Sequence, residues 1–132
     1  MLRQRIESHM QEKYGTPPEH LWERWPDYAV FRHPASRKWY AAVLRAPARA
    51  LNLAEGRDVE ILNLKCGPIL LGSLLAEPGF FPAWHMSKTN WVTVLLDGTV
   101  PEEKLFTLIE LSYDSVTPKR PRRAKPPETE QQ

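Results

Sequence analysis

Between Phe80 and Trp91 the chain reads Phe-Phe-Pro-Ala-Trp-His-Met-Ser-Lys-Thr-Asn-Trp. This stretch interleaves a cation (Lys88), an imidazole (His85), an amide (Asn90) and two hydroxyls with four Phe or Trp rings. Such rings can stack on nucleobases, each stacked base contributing about 1–3 kcal/mol. Lys88 would then meet a phosphate, and His85 or Asn90 a base edge. The same composition suits a docking patch for another protein, because exposed aromatic clusters mark interaction surfaces. The plain structural alternative is that Phe80, Phe81, Trp84 and Trp91 fill a gap between sheet and helix. For Trp91, which leads at once into a strand, burial is the expectation. His85 and Lys88 are expected at the surface, since a polar group buried there would need a partner.

Two further clusters carry charge. Arg32, His33, Arg37 and Lys38 flank one turn, where cations can hold a phosphate backbone without reading sequence. Their alternative role is a solvated turn. Lys119, Arg120, Arg122, Arg123 and Lys125 crowd the C-terminus. They could contact phosphates by counterion release or keep the terminus soluble. Pro121, Pro126 and Pro127 disfavour a helical basic arm there.

Catalysis finds little support. His9, His20, His33 and His85 fall on different elements, without H-E-x-x-H or other metal spacing. Cys66 ends an apolar strand, where a buried, inert thiol is expected. None of the six glycines builds a phosphate loop. The expectation is a non-enzymatic module with no catalytic residue, no cofactor and no metal.

At 132 residues the chain has room for one core. We expect a single domain over 1–117 and a disordered, basic, Pro-rich tail over 118–132. That tail holds five Lys or Arg against two Glu, while the preceding 117 residues hold 13 against 14. The body is thus nearly neutral, which excludes an electropositive domain throughout. No apolar run approaches the ~20 residues of a membrane span. The first residues lack the apolar core of a secretory signal. The single cysteine permits no intrachain disulfide. A cytoplasmic monomer with no membrane contact is expected.

The elements that must position these residues follow from periodicity. Leu2, Ile6, Met10 and Tyr14 form one helical stripe that Gly15 stops. Tyr28–Arg32 and Lys38–Leu44 read as strands of a hairpin. Residues 45–57 read as a loop, with a short helical turn allowed. Val59–Lys65 is a third strand. Pro68 suits a helix start, and Ile69, Leu70, Leu71, Leu74 and Leu75 are its expected buried side. In the strand Trp91–Leu96, Val92, Val94 and Leu96 should face one way and Trp91, Thr93 and Leu95 the other. Pro101 opens a last helix with Glu102 and Glu103 at its positive end and an inward stripe of Leu105, Leu108, Ile109 and Ser112. The order points to an α+β fold, an antiparallel sheet with helices packed on one face.

Pro82-Ala83-Trp84-His85-Met86-Ser87-Lys88-Thr89-Asn90-Trp91 is similar to the aromatic-His-Met-Asn-Lys-x-x-Trp segment of the YjbR/MmcQ-like proteins, a family of small bacterial domains. Leu96–Pro101, Leu111–Val116, Lys38-Trp39-Tyr40-Ala41 and Leu64–Pro68 agree in order and spacing, so the resemblance covers about residues 20–117. The chain departs at Ser87, where the family has Asn, at Gly67, where it has Asp, and over 46–57, which reads as an insertion. The resemblance implies a frataxin- or CyaY-like fold and double-stranded DNA as partner, gripped by two projecting hairpin wings. Arg32, Arg37 and Lys38 would form one wing and His85, Lys88 and Asn90 the other, with the basic tail adding affinity. The alternative partner is a protein docked on Phe80–Trp91. Frataxin's iron chemistry is not expected, because the first helix mixes Arg3, Arg5 and Lys13 with Glu7 and Glu12.

Overall fold

The computed structural model describes residues 2–53 and 56–118. Lys119, Arg120, Arg122, Arg123 and Lys125, with the rest of the expected tail beyond Pro118, lie outside the described residues. In chain order the elements are α1 (Leu2–Tyr14), β1 (Ala29–Arg32), β2 (Trp39–Pro47), a 3-10 turn (Ala48–Leu51), β3 (Asp58–Lys65), α2 (Pro68–Leu74), β4 (Phe80–Pro82), β5 (Trp91–Leu95) and α3 (Glu102–Ser115). The five strands form one antiparallel sheet in the order β1-β2-β3-β5-β4. The protein is therefore α+β, with α1, α2 and α3 contributing to the core on one sheet face.

Alternation along the strands divides the apolar residues between two layers. Phe31, Ala41, Val43, Leu62, Leu64, Val92 and Val94 pack with Ile6 and Met10 of α1, Leu71 and Leu74 of α2, and Leu105, Leu108 and Ile109 of α3. Among the described residues the opposite face carries no α-helix. Val30, Ala42, Leu44, Ile61 and Leu95 are covered there by Leu51 of the 3-10 turn and by loop side chains, among them Trp22, Tyr28, Trp84 and Met86. Fully burying one such aliphatic or aromatic side chain is worth about 1.5–3 kcal/mol. The loop covering is thus part of the second core.

Two local features fix the frame. Ser112 Oγ donates to the Tyr40 carbonyl and accepts from the Lys65 amide at 3.0 Å, so a buried hydroxyl on α3 ties β2 to β3. Gly79 enters β4 at φ +89°, and a Cβ there would lie 2.6 Å from Val100 Cγ2. Only glycine combines that backbone angle with that clearance.

The structure departs from expectation in three places. In α2, Leu71 and Leu74 are buried but Ile69 is 90% exposed and Leu75 40% exposed. A seven-residue helix turns about 100° per residue and cannot aim five consecutive or near-consecutive apolar side chains inward. Residues 45–47 continue β2 rather than opening the loop, and Pro47, opposite Asp58, ends the strand. Trp91 is half-buried and belongs to neither core layer.

His9 supplies a test of the helix packing. Its ring stacks on Phe106 at 3.9 Å and meets Tyr14 edge-on at 6.1 Å, and its Nε2 is buried with no hydrogen-bond partner among the described residues. Desolvation lowers its pKa first and Lys13 lowers it further, against weaker raising effects of Glu12 and Glu110. A histidine with a depressed native pKa favours folding when neutral. That stability is held above the ordinary histidine pKa and declines as pH falls through it. The urea midpoint should therefore drop between about pH 7 and about pH 5, and His9→Phe should drop less over the same interval. Parallel curves for the two proteins would exclude this role.

Candidate functional site

β2 and β5 are both antiparallel to β3, so they run in the same direction. Their N-terminal ends share one end of the sheet. The β1–β2 turn (33–38) and the β4–β5 connection (83–90) enter those two ends. Both hairpin tips therefore emerge from the same end. Two strand steps separate β2 from β5, roughly 10 Å at ~4.8 Å per step.

The sequence-selected residues behave differently at the two tips. Arg32 is half-buried; its Nε donates to Glu19 at 3.0 Å and its guanidinium lies 5.9 Å from the Trp39 ring centre. Arg37, at φ +65°, shares Glu19 at 3.6 Å. Lys38 is exposed and forms no ion pair among the described residues. His33 does not project with them. It is 5% exposed, its Nδ1 accepts from the Ala35 amide at 3.0 Å, its Nε2 meets Thr117 Oγ1 at 3.1 Å, and its ring rests on Tyr113 at 4.4 Å. The imidazole pins the turn to the end of α3 instead of facing solvent.

At the second tip, Lys88, Asn90 and His85 are exposed. Lys88 has no ion-pair partner among the described residues, and the Asn90 carbonyl accepts from the Cys66 amide at 2.7 Å. His85 takes φ +65° and packs 3.8 Å from the Trp84 ring, turning the chain back over the helix-free face. The wing is thus half structural: Phe80 and Ala83 are buried, while His85, Lys88 and Asn90 face out. Cys66 is 9% exposed, and desolvation raises its thiol pKa, which disfavours the thiolate.

A closed hydrogen-bond circuit holds this loop to the sheet. The Trp84 amide donates to Thr93 Oγ1 at 2.9 Å, Thr93 Oγ1 donates to Asn63 Oδ1, and Asn63 Nδ2 donates to the Trp84 carbonyl at 3.0 Å. Asn63 and Thr93 are fully buried side by side in β3 and β5. Every partner in the circuit is satisfied, which makes a buried polar group tolerable.

Pinned in this way, Trp84 forms one wall of a groove of about 590 Å³ across the helix-free face. Trp22, Trp25, Tyr28 and Trp39 form the other aromatic walls, over Ala42 and Leu44. Trp22 meets Trp39 and Tyr28 nearly edge-on, with centroid separations of 6.0 Å in both cases. Nothing in the spacing of these residues along the chain joins them. The only signals were an amide amid the apolar residues of β3 and a Trp-rich segment at 22–25. Among the described residues, no group of three His, Cys, Asp or Glu could hold a metal, and no helix is long and apolar enough to cross a membrane.

A family model described as YjbR matches residues 11–115. The chain belongs to the YjbR family. It is 37% identical over 113 residues to YyaQ of Bacillus subtilis (strain 168), spanning 86% of this chain and 96% of that one. Among solved structures, a Pseudomonas syringae crystal structure superposes with a TM-score of 0.85 at 43% identity, over 89% of this chain and all of that one. Protein DR2400 of Deinococcus radiodurans follows at TM-score 0.67 and 28% identity, over 89% of this chain and 79% of its own. The YjbR match contains both hairpins and the residues of the buried circuit.

The circuit predicts a localised defect. Asn63→Leu would strand the Trp84 carbonyl and the Thr93 hydroxyl, at a cost of about 1–3 kcal/mol. Urea unfolding should read that loss, and the amides of 84–90 should lose hydrogen-exchange protection before those of α1. Unchanged protection across 84–90 would show that the circuit does not hold the loop.

Proposed function

We propose that this YjbR domain is a non-enzymatic, cytoplasmic module that binds double-stranded DNA across the end of the sheet where the two hairpin tips emerge. The observation supporting this reading is the charge polarity of the sheet. Arg32, Arg37, Lys38, Lys65 and Lys88 all lie at the tip end, opposed by Glu19 and by Asp114 in the last turn of α3. The other end is of mixed sign, with Asp27, Asp58, Glu60 and Asp97 beside Arg45, Arg49 and Arg57. An otherwise neutral body thus presents one cationic rim. Pro118, the last described residue, follows Thr117, which is hydrogen-bonded to His33 at that rim. The basic residues beyond it are covalently joined there.

The two wings, roughly 10 Å apart, would meet the phosphates on one side of the duplex, on a spacing close to the ~12 Å width of a major groove. Lys38, Lys65 and Lys88 are the best phosphate contacts, since they have no ion pair to break among the described residues. Arg32 and Arg37 would first have to give up part of Glu19. Asn90 and His85 stand where a base edge could meet them. A protein docked on Phe80–Trp91 fits less well, because Phe80 and Ala83 are buried and the Trp84 backbone is tied to the sheet.

Anisotropy titration of a labelled duplex against the whole chain tests the reading. Binding should weaken linearly in log K against log salt, and Lys38→Ala or Lys88→Ala should each reduce the slope by about 0.9. If no salt-sensitive binding occurs at low ionic strength, the reading fails.

A further inference from the structure

The aromatic groove lies on the face between the tip end and the opposite end of the sheet, and shares only His85 with the DNA contacts proposed at the rim. We infer that this groove is a binding site for a small organic cation, of the quaternary ammonium class, free in solution. Its volume, about 590 Å³, is within the ordinary range for small-molecule sites.

Ring orientation selects the ligand's shape. Trp22 stands at 80° to Trp39 and 74° to Tyr28. Walls near right angles make a corner, which contacts a compact, rounded group on several sides. A flat nucleobase would instead need parallel faces. Indole offers the most favourable face to a cation, and methylated ammonium groups are recognised in this way. The chain's own guanidiniums already settle over these rings, Arg24 at 5.4 Å from Trp25 and Arg32 at 5.9 Å from Trp39.

Charge selects the sign. Asp58 lines the groove and makes no ion pair among the described residues. Arg45, also in the lining, is bound to Asp27 at 3.1 Å and Glu60 at 3.5 Å. Glu60 is shared with Arg3, which also pairs with Glu7. Glu7, Glu60 and Asp27 are thus committed to Arg3 and Arg45, while Asp58 is the carboxylate of the lining without an ion pair among the described residues. The Tyr28 hydroxyl records the same field: burial raises its pKa most, and Asp27 and Asp58 raise it further against Arg45. An anionic ligand would meet the Asp58 carboxylate in the lining. His85, the remaining titratable group in the lining, lies against Trp84.

Intrinsic tryptophan fluorescence of the whole chain, titrated with choline and with its uncharged isostere 3,3-dimethylbutan-1-ol, tests the inference. Choline should give saturable quenching, with the isostere and Asp58→Asn each weaker by about tenfold. Trp22→Ala should abolish saturation. Asp58 is exposed at the start of β3, so its substitution spares the core, and the isostere comparison needs no variant. Equal affinity for the two ligands, no saturation up to roughly 10 mM, or an unaffected Asp58→Asn would each overturn the inference. DNA binding is read separately and can survive or fail independently.

Discussion

The pairing of β3 with both β2 and β5 is the constraint from which the rest of the molecule follows. It makes β2 and β5 co-directional, so their preceding turns must leave the sheet together. It also sets Asn63 opposite Thr93 on the helix-free face. A polar pair in that position would be costly in an apolar layer. The backbone of Trp84 satisfies it and is in turn held there. Wing geometry, loop position and groove wall are three results of one register.

A sheet with helices on one face must solve a second burial problem on the other. Here the solution is aromatic: rings from 22–28, from β2 and from the β4–β5 connection cover Val30, Ala42, Leu44 and Ile61. Bulky rings set edge-on do not fill space as closely as aliphatic side chains, and an open groove is left among them. Recognition surface and core are therefore built from the same side chains. Charge is distributed along the strand axis instead, with Lys38, Lys65 and Lys88 at the tip end and aspartates interleaved with arginines at the other.

Much of the architecture was legible because it follows from period. The α1 stripe, the α3 stripe ending at Ser112, and the alternation of Val92 and Val94 against Thr93 and Leu95 all hold in the structure. Ile69 and Leu75 depart from expectation because an apolar run does not reveal which of its members a short helix turns outward. His33 departs from its expected place on the exposed tip because Thr117 and Tyr113, some eighty residues later, come to meet it. The groove was illegible for the same reason. Its walls, Trp22, Trp39 and Trp84, become neighbours only through tertiary folding. That the tips share an end required the strand order, which local pattern does not contain.

The two borders of the sheet have a consequence for behaviour at high concentration. β4 spans three residues and ends in Pro82, which has no amide hydrogen to offer a newcomer. On the far border, the Val30 amide and carbonyl are already engaged by Glu19. Neither side presents a run of free backbone groups long enough to recruit a strand from another molecule. A chain with Trp25 exposed and four further indoles half-buried is thereby guarded against growing into fibrils through its own sheet.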